Sequence, residues 1–163
     1  MTIYALSTAN GIAGLAVIRV SGHLALTALK TLSRKSHFEP NMMTRTNFFD
    51  PNTSELLDKG LAVFFAKPNS FTGEDVVEIH IHGGISTVNL VLKTLGSIDQ
   101  LRLAEPGEFS KRAFINNKMD LTAIEAMGDL INAQTEAQHN QALSQMGGSL
   151  NKLYMSWRRD LIE

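Results

Sequence analysis

Apolar and polar residues alternate strictly along Val76–His82. Val77, Ile79 and Ile81 fall on one side of an extended chain, and Val76, Glu78, His80 and His82 on the other. The pattern predicts a strand with one core face and one face carrying a carboxylate and two imidazoles within reach of a common site. A turn-rich stretch, Pro68-Asn69-Ser70-Phe71-Thr72-Gly73, precedes it, and Glu74 and Asp75 stand at its entrance. Gly83-Gly84 then lets the backbone turn tightly, and Ile85, Val88, Leu92 and Leu95 recur at helical spacing. A strand, a glycine pair and a helix N-terminus can form an anion site, but many such turns bind nothing.

Strands are also predicted over Thr2–Ser7 and Leu15–Val20, joined by a glycine-containing loop over 8–14. Arg19 interrupts the apolar second run. A charge in a half-buried strand needs a partner, which leaves an internal salt bridge or a ligand contact. Ser21 is placed to N-cap a helix through Leu24, Ala28 and Leu32. Ser33–Met43 reads as a loop, Arg45–Phe49 as a strand, Asp50-Pro51-Asn52-Thr53 as a turn and Gly60–Ala66 as an interior strand. A short strand follows around Leu101–Ala104, then a turn at Glu105–Glu108.

Lys111, Arg112 and Lys118 stand beside Phe109, Phe114 and Ile115, a pattern that suits a solvated helix face better than a nucleic-acid surface. From Asp120 the chain reads as all-helical. Thr122 and Glu125 have capping-box spacing, and Leu121, Ile124, Met127 and Ile131 share one face. Leu143, Met146, Leu150, Leu153 and Trp157 form a seam in 3-4 rhythm, which Gly147-Gly148 weakens by ~2 kcal/mol if both lie mid-helix, or kinks. No segment of the sequence covers this seam. The expectation is a helical domain cut at Glu163, with its remaining helices beyond.

Length and composition narrow the classes. The 163 residues suit one domain, or one domain with a small helical appendage. A net charge of −1 argues against a broadly basic nucleic-acid surface, though not against a local patch. No apolar run approaches about 18 residues, so no membrane span is expected, and Met1–Leu6 reads as a strand rather than a signal peptide. The absence of cysteine excludes disulfides, thiolate metal ligands and a Cys nucleophile within this chain, and it fits a reducing cytoplasm.

There is no G-x-S-x-G elbow and no G-x-x-x-x-G-K-[ST] loop. His80-x-His82 with Glu78 or Asp75 has metal-ligand spacing, but His23, His37 and His139 have no reason to converge there, so no metal site is assigned. What remains is Arg19, Glu78 and Lys118, three charges set against apolar or glycine-rich surroundings. A strand carboxylate suits an amidine-like donor edge, such as that of a pterin or guanine. An arginine and a lysine suit a carbonyl or carboxylate on the same ligand. From the residues alone this is a small-molecule-binding domain with a helical extension.

The same segments carry a resemblance. P-N-S-F-T-G-E-D-V-V-E (68–78), H-G-G (82–84), P-G-E-F-S-K-R-A-F-I-N-N-K-M-D-L (106–121), E-A-M-G-D-L-I-N-A (125–133) and I-R-V-S-G (18–22) resemble the N-terminal part of the MnmE (TrmE) family of tRNA modification GTPases. The resemblance implies an α+β fold. A folate-binding, aminomethyltransferase-like domain over 1–118 would precede the first helices of an all-α domain over 119–163. It implies homodimerisation and 5-formyl-tetrahydrofolate binding at Arg19, Glu78 and Lys118.

It further implies a cytoplasmic parent that works with an MnmG-type flavoprotein to modify carbon 5 of the tRNA wobble uridine. Folate would supply the one-carbon unit. GTP, Mg and K would belong to a GTPase domain that these residues do not contain. The loop Ala9–Gly14 and His80 depart from the family's usual pattern, and His80 is given no role. No catalytic acid, base or nucleophile is assigned. The rival readings are a dimerisation scaffold without folate affinity and a standalone one-carbon transferase; the latter lacks a general base in a convincing setting.

Overall fold

Short β-branched runs place their alternate residues under a layer of helices, and that alternation builds the first part of the molecule. The computed structural model describes residues 1–162 and divides into two units, residues 1–109 and a second beginning at Ser110.

In the first unit, β1 (Thr2–Leu6), β2 (Ala16–Ser21), β3 (Thr44–Phe49), β4 (Leu56–Phe65), β5 (Val76–Ile81) and β6 (Leu101–Leu103) form one mixed sheet in the order β3-β4-β5-β2-β1-β6. Among these strands β1 and β6 pair in parallel and the other neighbours antiparallel. Ile18, Val20, Val77, Ile79 and Ile81 bury against Ala25, Ala28, Leu29 and Leu32 of α1 (Ala25–Ser33) and against Val88, Val91 and Leu95 of α2 (Ile85–Gly96). Each large apolar side chain sealed in this layer contributes about 1.5–3 kcal/mol.

The second strand hairpin turns at Asp50, whose Oδ1 accepts the N–H groups of Asn52 and Thr53 at 2.7 and 3.2 Å. At the β4–β5 crossing, Gly60 is the residue that the geometry requires. A Cβ there would sit 2.0 Å from the His80 carbonyl oxygen.

Several expectations change. Ser21 does not cap α1; it ends β2, and the residue before α1, Leu24, offers no side-chain cap. The Ser21 hydroxyl is spent elsewhere, on Thr72 and Glu74. β4 begins at Leu56 rather than Gly60, because Asp58 and Lys59 lie within the strand that pairs with β3 and make its early part look like a loop. In the second unit, α4 (Leu121–Asn132) is capped by Asp120, which accepts the Ala123 N–H at 2.8 Å, and not by Thr122.

A full capping box occurs instead at Thr135 and Gln138, opening α5 (Glu136–Met146). α3 (Glu108–Ile115) begins at the end of the first unit. The predicted apolar faces of the last helices pack only in part, with Ile124, Met127, Met146 and Leu150 half-buried. α4 packs against α5, and the buried positions are Ala123, Ala126 and Ala142, while Leu121 and Ile131 are exposed. The seam is broken between α5 and α6 (Ser149–Ile162) by Gly147-Gly148, with Gly148 at φ 84. Leu143, Leu153 and Trp157 are exposed. The expected chain end at Glu163 lies outside the described residues.

Candidate functional site

Antiparallel pairing of β2 and β5 sets Arg19 directly opposite Glu78, on the sheet face away from α1 and α2. Arg19 Nε and one terminal nitrogen both donate to the same carboxylate oxygen, Glu78 Oε1, at 3.0 and 2.7 Å. The side chains keep 25% and 19% of their surface, so the pair is shielded but reachable from solvent. The guanidinium lies 5.1 Å from the Phe71 ring centroid and 5.9 Å from that of Phe109, within cation–π range of both. The charge that the sequence left without a partner is therefore met by an internal salt bridge.

Arg19 satisfies only half of the carboxylate. Among the described residues Glu78 Oε2 accepts no hydrogen bond, and His80 Nε2 stands 3.7 Å from it. That nitrogen is itself buried without a hydrogen-bond partner. Glu78 also lines a cleft of about 320 Å³, together with Phe65, Asn69, Ser70, Phe71 and Val76.

The loop that carries Phe71 is fastened by hydroxyls. Ser21 Oγ donates to Glu74 Oε2 at 2.7 Å and lies 2.7 Å from the buried Thr72 Oγ1. Thr72 Oγ1 accepts the Glu74 N–H at 3.3 Å, and Ser70 Oγ donates to the Glu74 carbonyl at 2.5 Å. Asp75 Oδ1 takes the Lys67 N–H at 3.0 Å, closing the loop at its base. An aromatic ring and a half-used carboxylate, held in fixed relation, suit a planar ligand with a donor edge.

The histidines expected beside Glu78 part company. His80 stays with it. His82 turns to Asp58, which accepts its backbone N–H at 2.8 Å and lies 2.9 Å from its Nδ1. Burial pushes the Asp58 carboxyl up, but the His82 backbone and ring hydrogen bonds and the Lys59 N–H outweigh it, and the net displacement is below the usual carboxylate value. Among the described residues no group of three His, Asp or Glu side chains is arranged to hold a metal ion.

Lys118 belongs to the second unit. It is exposed after α3, its N–H bonds to the Ala113 carbonyl at 2.8 Å, and it lines an open depression of about 530 Å³ with Phe114, Ile115, Asn117, Met119 and Asp120. The structure thus joins Arg19 to Glu78 within one unit and presents Lys118 on the other.

Sequence reasoning missed Phe71 and Phe109 as neighbours of Arg19, and Asp58 as the partner of His82. The only available signal was an aromatic in the polar turn before β5; the Asp58 contact spans 24 residues and leaves no local trace.

The family model described as "GTP-binding protein TrmE N-terminus" matches residues 2–118. The chain is 53% identical over 161 residues to the tRNA modification GTPase MnmE of Parvibaculum lavamentivorans, covering 99% of this chain and 37% of that protein. It is 51% identical over 162 residues to the MnmE of Rickettsia typhi, covering 99% of this chain and 36% of the other. It is 48% identical over 167 residues to a mitochondrial tRNA modification GTPase of Dictyostelium discoideum, covering 99% and 33%. The chain therefore spans about a third of the length of the curated relatives it matches. On the matched span and these identities, it belongs to the TrmE N-terminus family.

Proposed function

We propose that this chain is the folate-binding, dimer-forming N-terminal part of a protein that modifies tRNA. The observation that carries the reading is the half-used Glu78 carboxylate. Oε1 is held by Arg19, Oε2 accepts no hydrogen bond among the described residues, and Glu78 lines an aromatic-containing cleft of about 320 Å³. A pterin presents adjacent N–H donors on a flat ring, and this arrangement offers an acceptor and a ring, Phe71, to receive them. The guanidinium of Arg19 suits a carbonyl or formyl oxygen at the same ligand. Lys118 is carried into the ligand set by the family resemblance alone.

In this reading the mixed sheet of the first unit has the folate-binding aminomethyltransferase-like fold, with residues 1–118 as its domain and 119–163 as the start of a helical domain. When bound, 5-formyl-tetrahydrofolate would supply a one-carbon unit. This chain's residues would bind and orient it, and none acts as nucleophile or general base. The names of the relatives support a place in tRNA modification. GTP, Mg and K, an MnmG-type flavoprotein partner and action at carbon 5 of the wobble uridine then belong to the whole cytoplasmic protein.

Calorimetric titration of 5-formyl-tetrahydrofolate into the chain and into Glu78→Ala is the test. Loss of a charged acceptor should weaken binding by about 100-fold. No saturable binding by a folded chain that light scattering shows to be dimeric would favour the scaffold reading instead.

A further inference from the structure

His80 Nε2 is buried, and no hydrogen bond satisfies it. Leaving such an atom unpaired is expensive, so its placement calls for a reason. A carboxylate oxygen, Glu78 Oε2, stands 3.7 Å away, the very oxygen that Arg19 leaves open. The separation is about half an ångström beyond a hydrogen bond. The two side chains project from one face of β5 at i and i+2, and that fixes their proximity.

The rest of the surroundings is quiet. His80 pairs in register with Val17 on β2 and with Leu61 on β4, both apolar. The charged and titratable groups nearby are Arg19, already bound to Oε1; Lys59, which shares a cleft with His80 and His82; and Asp58, which is engaged with His82. Among the described residues, Glu78 is the carboxylate that forms a close pair with this ring nitrogen.

We propose that His80 is a positioning residue for the ligand-receiving oxygen of Glu78: a small inward shift lets Nε2–H take Oε2, in competition with the donor edge of a ligand. This rests on the folate reading of the cleft. Protonation keeps a proton on Nε2 and adds charge attraction to the carboxylate, so the competing contact strengthens on acidification. Ligand affinity then falls on acidification, and the proton is released when the ligand binds.

The experiment measures the dissociation constant for 5-formyl-tetrahydrofolate at pH 8 and pH 5.5 in the chain, in His80→Phe and in His80→Gln. The chain should bind about tenfold more weakly at the lower pH, the worth of one hydrogen bond. His80→Phe should lose most of that dependence. His80→Gln, a donor that does not titrate, should also be flat, and it serves if the phenylalanine variant fails to fold. Equal pH dependence in the chain and in either folded variant overturns the proposal.

A ligand-free arm separates this failure from failure of the folate reading. The His80 ring nitrogen chemical shifts, followed by NMR, should differ between Glu78→Gln and the chain, since the variant removes the neighbouring carboxylate. Identical shifts refute the coupling whatever binds the cleft. Coupling without ligand binding at either pH would remove the folate reading, and the competition with it.

Discussion

Replacing Arg19 by methionine tests whether the Arg19–Glu78 pair holds the exposed face of the sheet together. Methionine keeps the apolar stem between Phe71 and Phe109 but removes the guanidinium. At ~4 Å between charge centres and an effective dielectric of about 20, the gross attraction is about 4 kcal/mol. Desolvation of a pair with 25% and 19% of its side-chain surface exposed offsets about half of it, and the aromatic contacts add about 0.5 kcal/mol.

Arg19→Met should therefore destabilise the chain by about 2 kcal/mol, chiefly because Glu78 is left half-buried and unpaired. The double variant Arg19→Met/Glu78→Gln should recover about half of that loss, since the orphaned charge is gone. Urea denaturation followed by circular dichroism reads this as a fall in midpoint of about 1 M for the single variant. A single variant within 0.5 kcal/mol of the parent, or a double variant whose loss is the simple sum of the singles, would refute the pairing energetics.

Two further outcomes follow from the geometry. Gly60→Ala sets a methyl against the His80 carbonyl, where a Cβ would lie at 2.0 Å, and should lower stability by about 3 kcal/mol or prevent folding; a thermal midpoint unchanged within error would contradict that packing. Asp58 is held below its ordinary value in the folded chain, so its contribution is present above the unfolded value of about 3.9 and is lost as pH falls through the folded one. Asp58→Asn should flatten the acid arm of the stability profile between about pH 5 and 2, and an unaltered arm would show that the His82 contact stabilises nothing.

The sequence made β5 plain because both its faces are written in local alternation, and α2 plain because a glycine pair and a four-residue apolar rhythm sit side by side. Elsewhere a local signal was claimed by a distant partner. The Ser21 hydroxyl looked like a helix cap, but Thr72 and Glu74 take it across the strand end. Asp58 and Lys59 broke the apolar run that marked β4 from Gly60, although the β3 hairpin needs that length. Small alanines, not the large apolar stripe, are the buried positions on α4 and α5, a choice that hydrophobic spacing does not announce.

At the site, Arg19 and Glu78 were visible as two unexplained charges, but their pairing depends on register between residues 59 apart. The spare Oε2 and the unpaired Nε2 of His80 belong to no sequence pattern. They exist only once β2, β4 and β5 lie side by side.

The most direct test of the central claim is a crystal structure of the chain with 5-formyl-tetrahydrofolate bound. The pterin donor edge should lie within hydrogen-bond distance of Glu78 Oε2, with the ring against Phe71 and Arg19 still on Oε1. A ligand seated away from Glu78, or with its donor edge turned to solvent, would contradict the account.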